Sequence, residues 1–278
     1  MEKSVKAQLG EYGFKFKKAF GQNFLSDPFV LGEIAEKAGV NENSVVLEIG
    51  CGAGALTKEL AARAKKVVGY EIDERLKPVL KDALSGFDNT EVIFGDVMKR
   101  KLADIEKRLG ESYVLVANLP YYITTPIIMN FLENGENVSS MTVMVQKEVA
   151  ERLAAKPRTS DYGAITVGIN LRGEAKIVMQ VPREKFTPVP NVDSAVVRID
   201  IDKNKFSKVD KSAVRELVRK AFTSRRKTLV NNISSGYGTS KESAAKLLEK
   251  CGISPTARAE ELSAEQFVLL SEAIKNGK

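Results

Sequence analysis

The sequence contains no histidine and only two cysteines, Cys51 and Cys251, among its 278 residues. The lack of histidine excludes Ser-His-Asp and Cys-His nucleophilic machinery as well as any histidine-ligated metal site. A hydrolase of the usual kinds is therefore not expected. Two cysteines are too few for a disulfide framework, which fits a reducing compartment.

Long apolar runs are also missing from the sequence. No stretch reaches the ~18 consecutive apolar residues of a membrane-spanning helix, and residues 1–18 lack the apolar centre of a secretory signal. We therefore expect a cytoplasmic protein. With 43% hydrophobic residues, the chain can form one large domain, or one large and one small domain.

Positive charge is concentrated at the two ends of the sequence, whose net charge is +7. Residues 1–18 contain five lysines, interleaved with aromatic residues, against two glutamates; residues 208–278 contain fourteen lysines and arginines against eight acidic residues. Basic ends beside a near-neutral body are typical of an enzyme that binds a polyanion such as RNA. A cationic surface that only confers solubility is the alternative.

Strands and helices alternate through the first half of the chain, which predicts an α/β fold with a parallel sheet. A buried strand at 44–49 leads into the glycine-rich turn Gly50–Gly54 and a helix. The next strand ends at Glu71, and a third ends just before Asp96. In such a sheet the ligand lies at the carboxyl ends of the strands.

The glycine-rich turn fits neither of two common nucleotide-binding motifs. Its third glycine comes two residues after the second, not three as in the dinucleotide fingerprint, and no phosphate-cradling Lys-Ser/Thr follows. Glu48, just before the turn, would repel a pyrophosphate but suits a ligand with an ammonium group and ribose hydroxyls, such as S-adenosylmethionine. Glu71 could accept from the ribose hydroxyls and Asp96 from the adenine amine; helix capping or simple solvation is the alternative for each.

The stretch Asn118–Tyr121 follows a short apolar strand and combines an amide, restricted backbone carbonyls and an aromatic ring. Pro120 fixes its own φ and pushes Leu119 toward an extended conformation. The exocyclic amine of adenine is a poor nucleophile because its lone pair is delocalised into the ring. The Asn118 side-chain oxygen and the Leu119 carbonyl could hold the two amine hydrogens while Tyr121 stacks on the flipped-out base. A strand end with a simple turn is the alternative.

Local patterns also predict elements elsewhere in the chain. One helix is expected to begin at Pro28 and another at Thr124, and the closing strands 175–181 and 194–201 are expected to form a hairpin. Between these strands, Phe186 could form a second stacking face for a flipped base. A hydrophobic plug is the alternative.

The polar stretch 202–208 marks the predicted domain boundary. We expect a cofactor-binding catalytic domain over residues 1–207, with a basic arm at 1–18, and a helical RNA-binding domain over 208–278. The basic triplet 225–227 is expected to close a helix. The candidate RNA-binding residues are Arg158, Arg219, Arg225, Arg226 and Lys227.

Several motifs, in this order, resemble those of the ribosomal RNA adenine dimethyltransferases that act on the small subunit. The resemblance covers nearly the whole chain and rests on residues 21–25, 48–54, 118–121 and 186–194, with Glu71 and Asp96 at the expected places. Bacterial members more often have asparagine at the position of Tyr122.

This resemblance implies a Rossmann-like class I methyltransferase with a seven-stranded, mostly parallel sheet and a small all-helical C-terminal domain. It implies methyl transfer from S-adenosylmethionine, with S-adenosylhomocysteine as product, to N6 of two adjacent adenines near the 3′ end of small-subunit rRNA. The substrate would be this rRNA or an immature 30S particle. The enzyme would be a monomer and would contain no metal ion. By the same likeness, the target base contacts Asn118, Leu119, Pro120, Tyr121 and Phe186, and the cofactor contacts Gln22, Asn23, Leu25, Glu48, Gly50, Gly52, Glu71, Ile72, Asp96, Val97 and Asn118.

Two other functions share this pattern. An adenine methyltransferase of the large-subunit rRNA, of the macrolide-resistance type, has nearly the same motifs, but the Phe186 loop and the basic helical domain favour the small subunit. A non-catalytic RNA-binding assembly or transcription factor could keep the same fold. The intact Asn118 and Tyr121 argue against it.

Overall fold

The computed structural model describes residues 9–14, 23–25 and 27–276. These residues divide into two compact units: one ends at Ala150 and includes Lys176–Ile201, and the other contains Glu151–Ala175 and the chain from Asp202 onward. The second unit is therefore larger than the predicted helical domain. Residues 151–175 belong to it because Tyr162, Val167 and Leu171 are buried in the same core as the C-terminal helices.

The strands follow from the apolar runs of the sequence. Among the described residues, seven strands form one sheet in the order β4-β3-β2-β5-β6-β9-β7, and β1 pairs with β8 in a separate two-stranded sheet. In chain order they are β1 (Phe24–Leu25), β2 (Val45–Ile49), β3 (Lys66–Glu71), β4 (Thr90–Phe94), β5 (Tyr113–Asn118), β6 (Val138–Gln146), β7 (Gly173–Val181), β8 (Phe186–Thr187) and β9 (Ser194–Ile201).

The five neighbouring strands β4, β3, β2, β5 and β6 run parallel to one another, and β9 is antiparallel to β6. The α/β prediction is confirmed, as is the pairing of the two closing strands, β9 and β7. From β2 the chain proceeds to β3 and β4 on one side, whereas β5 and β6 lie on the other. The turns after β2 and β5 therefore meet at a topological switch point, where open α/β sheets bind their ligands.

The helices lie between the strands in the first unit and make up most of the second. In chain order they are α1 (Pro28–Lys37), α2 (Ala55–Ala61), α3 (Lys77–Ala83), α4 (Leu102–Leu109), α5 (Tyr121–Asn134), α6 (Lys147–Leu153), α7 (Ala164–Asn170), α8 (Lys211–Ala221), α9 (Leu229–Tyr237), α10 (Lys241–Lys250) and α11 (Ala264–Asn276). None of the helices in the described ranges has the length and apolar character needed to span a membrane.

Helix α1 begins at Pro28 as predicted. The Asp27 side chain accepts the Val30 N–H at 3.2 Å, which satisfies one of the free donors of the first turn. Gly39 follows the helix with a φ of +70°. The apolar face of α1, including Ile34, packs with Leu60 of α2 and Val46 of the sheet.

The predicted start of helix α5 at Thr124 is wrong by three residues. The helix begins at Tyr121, with Pro120 as the preceding cap residue, and Pro126 lies inside it. Thr124 does not cap a helix; its hydroxyl donates to the Pro120 carbonyl at 3.2 Å within the first turn. The N–H that Pro126 lacks would have met the carbonyl of Tyr122, an exposed residue, so the proline is tolerated.

The predicted place of the basic triplet 225–227 at a helix end is also wrong. Helix α8 ends at Ala221, and the triplet lies in the loop before α9. The side chain of Asn232 donates to the carbonyls of Ala221 at 2.7 Å and Ser224 at 3.0 Å. These bonds satisfy a carbonyl at the end of α8 and hold the loop in place. The sequence pattern of α8 does not indicate them.

Candidate active site

A cavity of about 260 Å³ opens at the carboxyl edge of the sheet in the first unit. The turn after β2, the ends of β3, β4 and β5, and the start of α5 contribute to its wall. The structure brings most of the predicted site residues together here. These are Asn23, Leu25, Gly50, Gly52, Glu71, Ile72, Asp96, Val97, Asn118, Leu119, Pro120, Tyr121 and Phe186.

One predicted cofactor residue, Gln22, lies outside the described residues. Another, Glu48, does not line the cavity. Glu48 is fully buried in the core, one position before the end of β2. The structure therefore places its carboxylate behind the cavity wall.

The glycine-rich turn lies close against the end of β5. Gly50 has a φ of +82°, and a Cβ at this position would lie 3.4 Å from the carbonyl oxygen of Asn118. Gly52 has a φ of +57°, and a Cβ there would lie 3.1 Å from the ring of Phe24. Both positions need the left-handed conformation that glycine adopts without strain. The turn consequently exposes its backbone to the cavity beside Asn118.

Glu71 is a buried acceptor at the end of β3. Its Oε2 accepts the Gly52 N–H and its Oε1 accepts the Asp73 N–H, each at 2.8 Å. Burial raises the pKa of Glu71, and the backbone N–H groups partly oppose this shift. A carboxylate oxygen has two lone-pair sites, so each oxygen can accept one more hydrogen bond. Glu71 can therefore accept from two neighbouring hydroxyls of a ligand.

Asp96 caps a helix and keeps a second carboxylate oxygen without a hydrogen bond in the described part of the chain. Its Oδ1 accepts the Met98 N–H at 2.9 Å and caps the short 3₁₀ helix Val97–Lys99. Within the described ranges no hydrogen bond occupies Oδ2. The capping bond thus orients the carboxylate and leaves an acceptor for the cavity.

Glu48 forms a buried polar cluster with Thr57 and Cys51. Burial, together with the charge of Glu71, raises the pKa of Glu48 to about 7, although Thr57 and Cys51 partly oppose this shift. The Thr57 hydroxyl is near enough to affect this pKa. Among the described residues, however, the Thr57 hydroxyl and both carboxylate oxygens of Glu48 have no partner at hydrogen-bonding distance. Burial therefore favours the protonated form of Glu48.

The stretch Asn118–Tyr121 joins the end of β5 to the first turn of α5. Asn118 is partly exposed to the cavity and Leu119 is buried beside Gly50. The hydroxyl of Tyr121 lies 3.0 Å from the hydroxyl of Ser194, the first residue of β9, which is buried. This contact fixes the Tyr121 ring at the cavity wall. Sequence reasoning missed Ser194 as a partner, and its only signal was its place in the 186–194 motif.

Phe186 is buried and faces the cavity from β8. Its strand pairs with β1, where Leu25 is its antiparallel partner, and its ring packs in the core with Leu31 and Val196. It forms part of the wall and also fills the core. Its assignment as a stacking face remains a prediction.

Other residues of the cavity wall were not among the predicted site residues. Phe24 supports Gly52, Met98 follows the Asp96 cap, and Tyr122 lies exposed at the start of α5. Tyr70 and Cys51 complete the wall below the glycine-rich turn. These side chains lie in one cavity wall because the ends of β2, β3, β4 and β5 lie at the same edge of the sheet.

The candidate RNA-binding residues lie in the second unit. The Arg158 N–H donates to the carbonyl of Glu260 at 2.8 Å, and the guanidinium of Arg225 donates to the Ser160 carbonyl and to the Glu260 carboxylate, the latter at 3.4 Å. Arg158 and Arg225 therefore share one surface, which we call the basic loop surface. Arg226 and Lys227 are exposed on the same loop as Arg225, and Arg219 is exposed on α8.

No group of three or more acidic, cysteine or histidine side chains suited to a metal ion occurs in the part of the chain that the structure describes. The cavity instead presents carboxylate, amide and backbone groups around an apolar floor.

Comparisons with known proteins agree with this arrangement. The family model for ribosomal RNA adenine dimethylases matches residues 13–276. A protein of Bacillus licheniformis named Ribosomal RNA small subunit methyltransferase A is 45% identical over 281 residues, which cover 98% of this chain and 95% of that protein.

Two solved structures are similar over 91% of this chain. A dimethyladenosine transferase from Plasmodium falciparum has a TM-score of 0.78 and 28% identity, with 98% of that chain covered. The 23S rRNA methyltransferase ErmE has a TM-score of 0.70 and 31% identity, with 100% of that chain covered.

Proposed function

The chain belongs to the ribosomal RNA adenine dimethylase family, and from this premise we propose that it methylates small-subunit rRNA. The reaction transfers methyl groups from S-adenosylmethionine to N6 of two adjacent adenines near the 3′ end, two to each adenine. The relative named for the small subunit is 45% identical to this chain, whereas the 23S rRNA methyltransferase is 31% identical. This difference favours the small subunit over the large one.

The observation that carries the chemistry is the approach of Gly50 to Asn118. A Cβ at Gly50 would lie 3.4 Å from the Asn118 carbonyl oxygen, so a ligand on the glycine turn lies directly beside a ligand held by Asn118. The hydrogen-bond acceptors fit S-adenosylmethionine: Glu71 can accept from two ribose hydroxyls, and Asp96 from the adenine amine. When bound, the cofactor supplies a methyl group already activated on a sulfonium.

The residues of this chain orient the second reactant. The Asn118 side-chain oxygen and the Leu119 carbonyl accept the two amine hydrogens of the target adenine and turn its lone pair toward the cofactor side of the cavity. Tyr121, held by Ser194, stacks on the flipped base. The amine becomes acidic as it is alkylated, so its proton can leave to water and no histidine base is needed. Orientation of this kind can contribute up to ~7–11 kcal/mol.

The second unit provides the RNA contacts in this proposal. Its basic loop surface, with Arg158, Arg225, Arg226 and Lys227, and the nearby α8 residue Arg219 bind phosphates of the rRNA. The protein acts as a monomer in the cytoplasm on rRNA or on an immature 30S particle.

Methyl transfer to isolated ribosomal subunits tests the proposal. The protein is incubated with labelled S-adenosylmethionine and with small or large subunits that lack adenine methylation, and modified nucleosides are mapped. We expect dimethyladenosine at two adjacent positions near the 3′ end of the small-subunit rRNA. Label confined to the large-subunit rRNA would assign the 23S type of activity. No transfer to either, with retained RNA binding, would indicate a non-catalytic assembly factor.

A further inference from the structure

Tyr122 is an exposed aromatic residue at the wall of the cavity. Its side chain is 65% exposed, although it lies one residue after Tyr121, whose hydroxyl is tied to Ser194. Successive residues of a helix point about 100° apart, since one turn contains 3.6 residues. The ring of Tyr122 therefore cannot share the face that Tyr121 presents.

The position of Tyr122 distinguishes it from the other exposed large apolar residues that the structure describes. Phe29 is 75% exposed but does not line the cavity, and Val189 is likewise outside its wall. Ile72 lines the cavity and is 49% exposed, but it follows Glu71 on the side proposed for the cofactor ribose. Tyr122 instead follows Asn118–Tyr121, the stretch proposed to hold the target base. An exposed aromatic ring in the wall of a cavity offers a flat surface on which a base can stack.

We propose that Tyr122 stacks on the nucleobase next to the target adenine in the bound RNA. The inference rests on the proposed function and adds a substrate contact outside the methyl-accepting pocket. When one adenine is flipped out, its neighbour loses a stacking partner. An aromatic side chain can replace that partner for any base, because every base has a π-face. The tyrosine hydroxyl is not required for this contact.

Kinetics on small subunits that lack adenine methylation test the contact. We compare the wild type with Tyr122→Ala, Tyr122→Phe and the control Phe29→Ala, which removes a more exposed ring away from the cavity. Tyr122→Ala is expected to raise the KM for subunits about tenfold or more, within the range for loss of one base–aromatic stack. Tyr122→Phe and Phe29→Ala should stay within twofold of the wild type.

Cofactor binding and a base-specific signal separate this contact from other roles. The Kd for S-adenosylmethionine, measured by calorimetry, should be the same in all four proteins. In RNA carrying the fluorescent adenine analogue 2-aminopurine next to the target, the wild type and Tyr122→Phe should quench the fluorescence, and Tyr122→Ala should not. An unchanged KM and unchanged quenching in Tyr122→Ala would overturn the inference, as would a loss confined to cofactor affinity. Failure of the proposed function is distinct, because the wild type would then transfer no methyl group to small subunits.

Discussion

The hydroxyl of Tyr121 and the hydroxyl of Ser194 lie 3.0 Å apart and join the first turn of α5 to the first residue of β9. Ser194 is fully buried, so its position is set by the sheet. The sheet thereby holds the ring that is proposed to stack on the target base. A ring held before the substrate arrives loses less side-chain entropy on binding.

Removal of this hydrogen bond should slow methyl transfer without affecting the cofactor. We expect Ser194→Ala and Tyr121→Phe each to lower kcat/KM for RNA about five- to tenfold, since a net hydrogen bond contributes about 1 kcal/mol. The double variant should be no slower than either single one, because both lose the same contact. Steady-state kinetics and calorimetric titration of S-adenosylmethionine measure both effects. Additive losses would show that the two hydroxyls act separately.

A side chain at Gly69 should distort the glycine-rich turn. A Cβ at this residue of β3 would lie 2.3 Å from the Sγ of Cys51. We expect Gly69→Ala to lower the free energy of unfolding by about 1–3 kcal/mol, the usual cost of overpacking, and to weaken cofactor binding. Urea unfolding measures the first effect. Cys51→Ala in the same background should restore part of the loss; no rescue, or no loss in Gly69→Ala, would contradict the packing argument.

The pH dependence of stability should report the buried Glu48. Its pKa rises from 4.5 to about 7 on folding, mainly because of burial. Folding therefore favours the protonated form, and this advantage is complete below pH 4.5 and is lost as the pH rises to about 7. Relative to Glu48→Gln, the wild type should lose on the order of 3 kcal/mol between pH 4.5 and pH 8.

Urea unfolding of both proteins across this pH range measures the difference. Glu42→Gln, which changes an exposed carboxylate, is the matched control for the change in charge. If the stability difference between the wild type and Glu48→Gln were constant from pH 4.5 to pH 8, Glu48 would not be the buried titrating group.

The basic loop should determine the salt dependence of RNA binding. Replacement of Arg225, Arg226 and Lys227 with alanine should weaken binding and reduce the slope of log K against log salt by roughly two, since each phosphate contact contributes about 0.7–0.9. The control replaces Lys241, Lys246 and Lys250 of α10 and removes the same charge elsewhere in the unit. Equal slopes for the two triple variants would show that the loop residues attract RNA only through their charge and make no specific phosphate contacts.

Local signals allowed part of this structure to be predicted from sequence. The start of α1 was predictable because the cap residue Asp27, Pro28 and the capped N–H of Val30 lie close together in the sequence. The glycine-rich turn was predictable because it comes directly after β2. The cavity residues at the ends of β2 to β5 were predictable for a related reason. Parallel strands place their carboxyl ends at one edge.

Features that depend on distant contacts were not predictable. The Tyr121–Ser194 pair joins residues 73 positions apart, and the loop of Arg225 is held by Asn232 from the next helix. Helix α5 begins at Tyr121, although Thr124 and Pro126 resemble a helix start. The local signal failed because the strand already ends at Asn118 and Pro120 precedes the helix.

The single-turnover rate of Asn118→Ala tests the central claim most directly, because Asn118 is proposed to orient the reacting amine. The measurement uses unmethylated small subunits and saturating S-adenosylmethionine, with the cofactor Kd determined in parallel. A loss of roughly 10²–10³ in methyl transfer with an unchanged cofactor Kd is predicted, the scale for one preorganised polar group. A rate close to that of the wild type would contradict the account.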